Sequence, residues 1–148
     1  MPEKMLATIP VFVYMLDESN GVYLQRRHQT GYLDGFYEPP AGKVDQGEFP
    51  SLAACREALE ESGVTIQPDN LELFHTYINL TDNSPWLGLM YRTHVWQGEP
   101  LICEPEKCDD AAFFKLDKLP RLTPQVADGL ARVVTATTIE TSEYDAIR

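Results

Sequence analysis

The sequence predicts a single α+β domain, a mixed β-sheet with helices packed on it. Three observations predict it. Runs of alternating β-branched and aromatic residues recur along the chain. Two other stretches carry helix start and stop signals. Strands and helices do not alternate strictly, which argues against a purely parallel arrangement. At 148 residues the chain can bury a core without disulfide or metal staples.

Taken in order, "MLATIPVFVYML" (5–16) reads as the first strand. It is too short to span a bilayer and lacks the basic start and cleavage site of a signal peptide. "DESNG" is the turn into a second strand, "GVYLQRR" (21–27). Residues 28–48 are rich in Gly, Pro and aromatics and read as one long loop, a kind of segment that is usually functional inside a compact domain. A helix follows from Pro50 to Ser62, with proline suited to its first turn and Gly63 suited to a left-handed C-cap. "VTI" (64–66), "LELFHTYINLT" (71–81), "WLGLMYRTHVW" (86–96) and "AAFFKL" (111–116) read as strands, the second pairing with the third. "TPQVADGLARVVTATT" (123–138) is the second helix, with Thr123 as N-cap and Pro124 at its first position. Residues 139–148 carry no clear signal. They are read as a tail that frays, after one domain over 1–138.

The net charge of −11 argues against a binder of duplex nucleic acid, which needs a basic face. It does not forbid a small phosphorylated substrate, because a divalent cation reverses the local sign. The three cysteines, Cys55, Cys103 and Cys108, form neither an even disulfide set nor a CxxC pair. Reduced thiols in the cytoplasm are the reading favoured over a zinc site.

"REALEESG" (56–63) raises a physical question. Glu57, Glu60 and Glu61 crowd the end of a helix where the dipole is negative, and they repel one another at i,i+3 and i,i+4 spacing. At about 100° per residue all three share an arc of roughly 100°, while Leu52, Cys55 and Leu59 fall on the opposite side. The expectation is a helix packed through its leucines that presents a purely acidic outer face. Most such faces are simply solvated. Here the crowding and the unfavourable helix end suit a hard cation such as Mg²⁺ or Mn²⁺, which turns repulsion into coordination.

Extending the stretch backwards to "GKVDQGEFPSLAACREALEESGV" (42–64) gives a pattern that resembles the Nudix box, G-x5-E-x7-R-E-U-x-E-E-x-G-U with U apolar. Gly42, Glu48, Arg56, Glu57, Glu60, Glu61, Gly63 and Val64 match; Ala58 is smaller than the usual residue at its position. The resemblance implies an α/β/α sandwich around a mixed sheet. It also implies hydrolysis of a nucleoside diphosphate linked to another group, with Mg²⁺ or Mn²⁺. Carried over, Glu57, Glu60 and Glu61 would be metal ligands, joined by the backbone carbonyl of Gly42 or Ala41. Glu48 and Arg56 would brace loop and helix, and Glu57 or Glu61 would activate water. A further acid would come from a later loop, for which Asp110 is favoured over Asp109. Among softer candidates, Arg26 or Arg27 could clamp a phosphate, at most one of them facing the site because strand side chains alternate. Lys43 could see phosphate too, and Tyr32, Phe36, Tyr37 and Trp86 could stack on a base.

The segments flanking the box are similar to nucleoside triphosphate pyrophosphohydrolases, so a (d)NTP cleaved to a nucleoside monophosphate and pyrophosphate is the expected substrate. The downstream arrays that accompany NADH, ADP-ribose or dinucleoside polyphosphate cleavage are not evident. Those substrates stand as alternatives, as does a silent nucleotide-binding module. The expected partner is a small nucleotide, with neither duplex nucleic acid nor membrane; a homodimer is compatible with the sequence.

Overall fold

The computed structural model describes residues 2–80 and 84–145. The end of the 71–81 segment and residues 146–148 of the expected tail lie outside them. β1 (Pro10–Met15) is buried along its whole length. Val11, Val13 and Met15 point into one core cluster and Phe12, Tyr14 and Leu16 into another, which is why a strand of period 2 reads as a continuous apolar run. α1 (Pro50–Ser62) packs on the first face and α2 (Pro124–Arg132) on the second. The strands divide into two sheets. β4 (Ala41–Lys43), β1, β6 (Trp86–Thr93), β5 (Glu72–Leu80) and β8 (Glu140–Asp145) form a mixed five-stranded sheet in that order. β3 (Tyr37–Glu38), β2 (Val22–Arg27) and β7 (Cys108–Phe114) form an antiparallel one. This is the expected α+β architecture, with β5 and β6 paired as read; the pairing is antiparallel.

Several elements differ from the sequence reading. The 28–48 loop contains β3 and β4, strands too short to show a period. "VTI" supplies only a bridge from Thr65 to Gln97. β7 starts at Cys108, so Asp109 and Asp110 lie within a strand and not ahead of one. α2 stops at Arg132, six residues before the expected end at 138. The β-branched run after it disfavours helix, and Arg92 takes the carbonyls of Val133 and Ala136 as external partners. Glu140–Asp145, expected to fray, is β8, parallel to β5 in register His75 to Glu140. Its polar residues are the reason it binds. Ser142 and Tyr144 hydroxyls both donate to Asp128 on α2.

The faces of α1 also need correction. Leu52 and Leu59 are 47% and 52% exposed, whereas Ala53, Ala54 and Ala58 are fully buried. The helix packs through its small residues, which let it approach the sheet closely, and the leucines point outward. On the same wheel Ala54 and Ala58 fall at about +60° and +100° from Glu57, beside the carboxylates. The acidic arc therefore borders the packed face. Glu57 and Glu61 are half-buried there, and Glu60 is exposed. No helix among the described residues is long and apolar enough to cross a membrane.

Candidate active site

Proline at the first turn starts α1, and Gly63 ends it at φ 75°, its N–H returning to the Leu59 carbonyl. This fixes the last two turns, and so the glutamates, against β4. Gly42 on β4 lies directly beneath Glu57. A Cβ there would overlap the carboxylate, so the cradle exists only with glycine. Glu61 reaches the same strand, where its Oε1 accepts from the Ala41 N–H at 2.9 Å and from the Gln25 side-chain amide at 2.7 Å.

Arg56 braces the group. Its Nε donates to Glu48 Oε2 at 2.8 Å and one terminal nitrogen to Glu48 Oε1 at 3.0 Å, a bidentate pair. The other terminal nitrogen donates to Glu57 at 2.8 Å and more loosely to Glu60 at 3.3 Å, and a further bond reaches the Lys43 carbonyl. Helix, loop and strand β4 are thus tied by one guanidinium. These bonds hold Glu48 down at about 2. Burial has the opposite effect on the other two carboxyls. It raises Glu57 against the pull of Arg56, and it pushes Glu61 up to about 8, with Glu38 and Glu57 adding to the shift. Glu57 shares its one cation, Arg56, with Glu48 and Glu60, and Glu61 has only neutral donors.

Glu57, Glu61 and Gly42 line an open cavity of about 530 Å³. Both Arg26 and Arg27 border it, where at most one was expected. An irregularity in the β2–β7 pairing between Gln25 and Arg27 breaks the strict alternation. Each arginine is already engaged, Arg26 with Asp109 at 2.7 Å and Arg27 with Glu38 at 2.8 Å. Arg27 also binds Thr30 and the Tyr32 carbonyl and lies over the Tyr32 ring, so it organises the 28–36 loop. Lys43 lines the cavity from β4 with its ammonium over Trp86. Tyr32 is 67% exposed, Phe36 lies under Arg121, and Tyr37 packs on Phe114.

Asp110 is not among the cavity's lining residues; it accepts from the Tyr37 hydroxyl at 2.5 Å. The later acid that lines the cavity is Glu104, close enough to Glu57 to add to its shift. Glu104 sits in a polar turn, "CEPEK", that gives no sequence signal of its own. Gln25 and Glu38 were missed as well. Gln25 was within reach of the alternation argument, because it shares a strand face with Arg27.

As arranged here, no three His, Cys, Asp or Glu side chains among the described residues converge as a closed metal site. The donor chemistry still fits a hard divalent cation. Glu57 and Glu61, half-buried carboxylates of which only the first meets a cation, stand on one cavity wall beside the backbone of Gly42, over a cradle that a Cβ would fill.

A NUDIX domain model matches residues 7–136. The chain belongs to the Nudix hydrolase family. Nudix relatives include an 8-oxo-dGTP diphosphatase of Escherichia coli K12, 33% identical over 87 residues, covering 57% of this chain and 64% of that protein. Another is an NAD-capped RNA hydrolase, NudC, of Stutzerimonas stutzeri, 30% identical over 115 residues, covering 76% of this chain but 38% of that protein. The chain thus spans less than two thirds of the length of these curated relatives. A MutT NUDIX hydrolase from Burkholderia pseudomallei superposes with a TM-score of 0.79 at 26% identity, over 88% of this chain and 100% of that one.

Proposed function

We propose that this Nudix protein cleaves a pyrophosphate bond in a nucleotide, with a (d)NTP the favoured class and nucleoside monophosphate and pyrophosphate the products. The observation that carries the reading is the pair Glu57 and Glu61 on the wall of a cavity bordered by Arg26, Arg27 and Lys43. Anionic ligands and cationic rim suit a diphosphate that arrives with a cation. The name of the Escherichia coli relative, which acts on 8-oxo-dGTP, supports the triphosphate class. The NudC relatives support a second reading, an NAD-type dinucleotide or capped RNA end. The absence of the downstream array of NADH-cleaving members speaks against it.

Glu57, Glu60 and Glu61, with the Gly42 or Ala41 carbonyl and a later acid, would hold Mg²⁺ or Mn²⁺. Glu104 now fits that last role better than Asp110. When bound, such a cation neutralises the diphosphate charge and lowers the pKa of water. Glu57 or Glu61 takes the proton of the attacking water, a task matched to carboxyls that burial has made more basic. Arg56 and Glu48 keep helix and β4 at fixed spacing. Lys43 and one β2 arginine, exchanging its carboxylate partner for phosphate, orient the leaving group.

A phosphate-release screen over dNTPs, 8-oxo-dGTP, NADH, ADP-ribose and dinucleoside polyphosphates tests this, run with added pyrophosphatase or phosphatase in Mg²⁺ and in Mn²⁺. Turnover is expected on the triphosphates, with pyrophosphate as co-product. No turnover on any compound would remove the hydrolase reading, and preference for NADH would move the assignment to the second.

A further inference from the structure

Glu61 is held by one of its two carboxylate oxygens. Oε1 takes both the Ala41 main-chain N–H and the Gln25 amide, and among the described residues no hydrogen bond reaches Oε2. The end of Gln25 that faces Oε1 is its amide nitrogen. The Gln25 carbonyl then points away, and it is buried without a donor. Gln25 is 6% exposed in the middle of β2 and belongs to the cavity wall. A buried acceptor without a partner destabilises the fold, and an unbranched apolar residue would fill the same volume without that cost.

We propose that Gln25 is a positioning residue for Glu61. One donor on Oε1, the Ala41 N–H, would act as a pivot about which the carboxylate could swing. A second donor on the same atom, from a different strand, fixes the carboxylate plane and commits Oε2 to the cavity. The assignment rests on the proposed function, in which Glu61 works on a cation and a diphosphate. The orphaned carbonyl is the cost of aiming that oxygen. Outer partners of this kind alter metal affinity or turnover by about 10- to 100-fold when removed.

The test compares wild type with Gln25→Met, which removes donor and orphan together. A second variant, Gln25→Asn, keeps an amide but is too short to reach Glu61. Three quantities are read: melting temperature without added metal, Mn²⁺ affinity by calorimetry, and kcat and KM on the best substrate of the screen. The expected result for both variants is Mn²⁺ binding weakened by about 10- to 100-fold and kcat lowered with KM unchanged. The melting temperature of Gln25→Met should be equal to or above that of wild type. Wild-type Mn²⁺ affinity in both variants would overturn the assignment. So would a melting temperature that falls in step with the losses, since that marks a purely structural role. If the wild type cleaves nothing, the hydrolase reading fails separately, and the Mn²⁺ comparison still decides what Gln25 does to Glu61.

Discussion

The Glu57 carboxylate occupies the space in which a side chain on Gly42 would begin. Strand and helix approach so closely there that residue 42 has no room for a methyl group. The obstructing atoms are the far end of a flexible side chain, so Gly42→Ala should displace Glu57 at little cost to the fold. Turnover should fall by at least about tenfold, as expected when a ligand's support is disturbed. Initial rates and melting curves on the same preparation check it; retained turnover would show that Glu57 need not sit over β4.

Arg56 serves Glu48, Glu57, Glu60 and the Lys43 carbonyl at once. A lysine carries the charge but cannot form the bidentate pair with Glu48 or span all four partners. Arg56→Lys should lower kcat by about 10- to 100-fold and destabilise the protein by about 1–3 kcal/mol. Glu60→Gln separates the two effects. Its side chain is half exposed and only loosely bonded, so it should lose turnover by orders of magnitude while leaving the urea midpoint in place.

The orientation of α1 makes a stability prediction opposite to the one hydrophobicity suggests. Leu59→Gln should shift stability by no more than about 0.5 kcal/mol, because its side chain is largely in water. Ala58→Leu, nominally a gain in apolar content and a closer match to the family pattern, should cost about 1–3 kcal/mol by overpacking a fully buried site. Denaturant titration of the two variants would separate them. A stabilised Ala58→Leu would mean the helix can lift from the sheet.

Asp128 contributes to the acid limb of the stability curve. Burial raises its carboxyl, but bonds from Ser142, Tyr144 and Arg132 outweigh that and draw it down to about 2. A folded-state value below that of the unfolded chain stabilises above about 4, and the contribution is lost as the pH falls towards 2. The size is of order 1–2 kcal/mol, allowing for a carboxylate 24% exposed. Asp128→Asn should therefore melt below wild type at pH 7, and the gap should close between about pH 4 and pH 2. A gap independent of pH would contradict this.

The box and its frame were legible because their signals are local. Proline and glycine bracket α1, and the three glutamates clash unless something occupies them. What was not legible depends on how closely elements approach. Leu52 and Leu59 looked like the packed face because size usually marks the inside, yet the helix residues that are buried are the small ones, Ala53, Ala54, Ala58 and Ser62. Gln25, Glu38 and Glu104 join the cavity from three separate segments; only Gln25 is marked locally, by the alternation along β2, and nothing near Glu38 or Glu104 marks them. β8 was illegible for a related reason. Its residues are polar, and its pairing depends on Asp128 presenting a carboxylate from a helix that precedes it in the chain.

β8 also lies beyond the stretch that matches the family model, which stops at residue 136. It covers the flank of β5 from His75 to Leu80 with main-chain hydrogen bonds and brings Glu140, Glu143 and Asp145 to the border of the sheet. A chain cut at the family boundary would bare that row of amides and carbonyls while losing the charges that keep neighbouring molecules apart. A chain ending at residue 136 is therefore expected to self-associate more readily than one that carries β8.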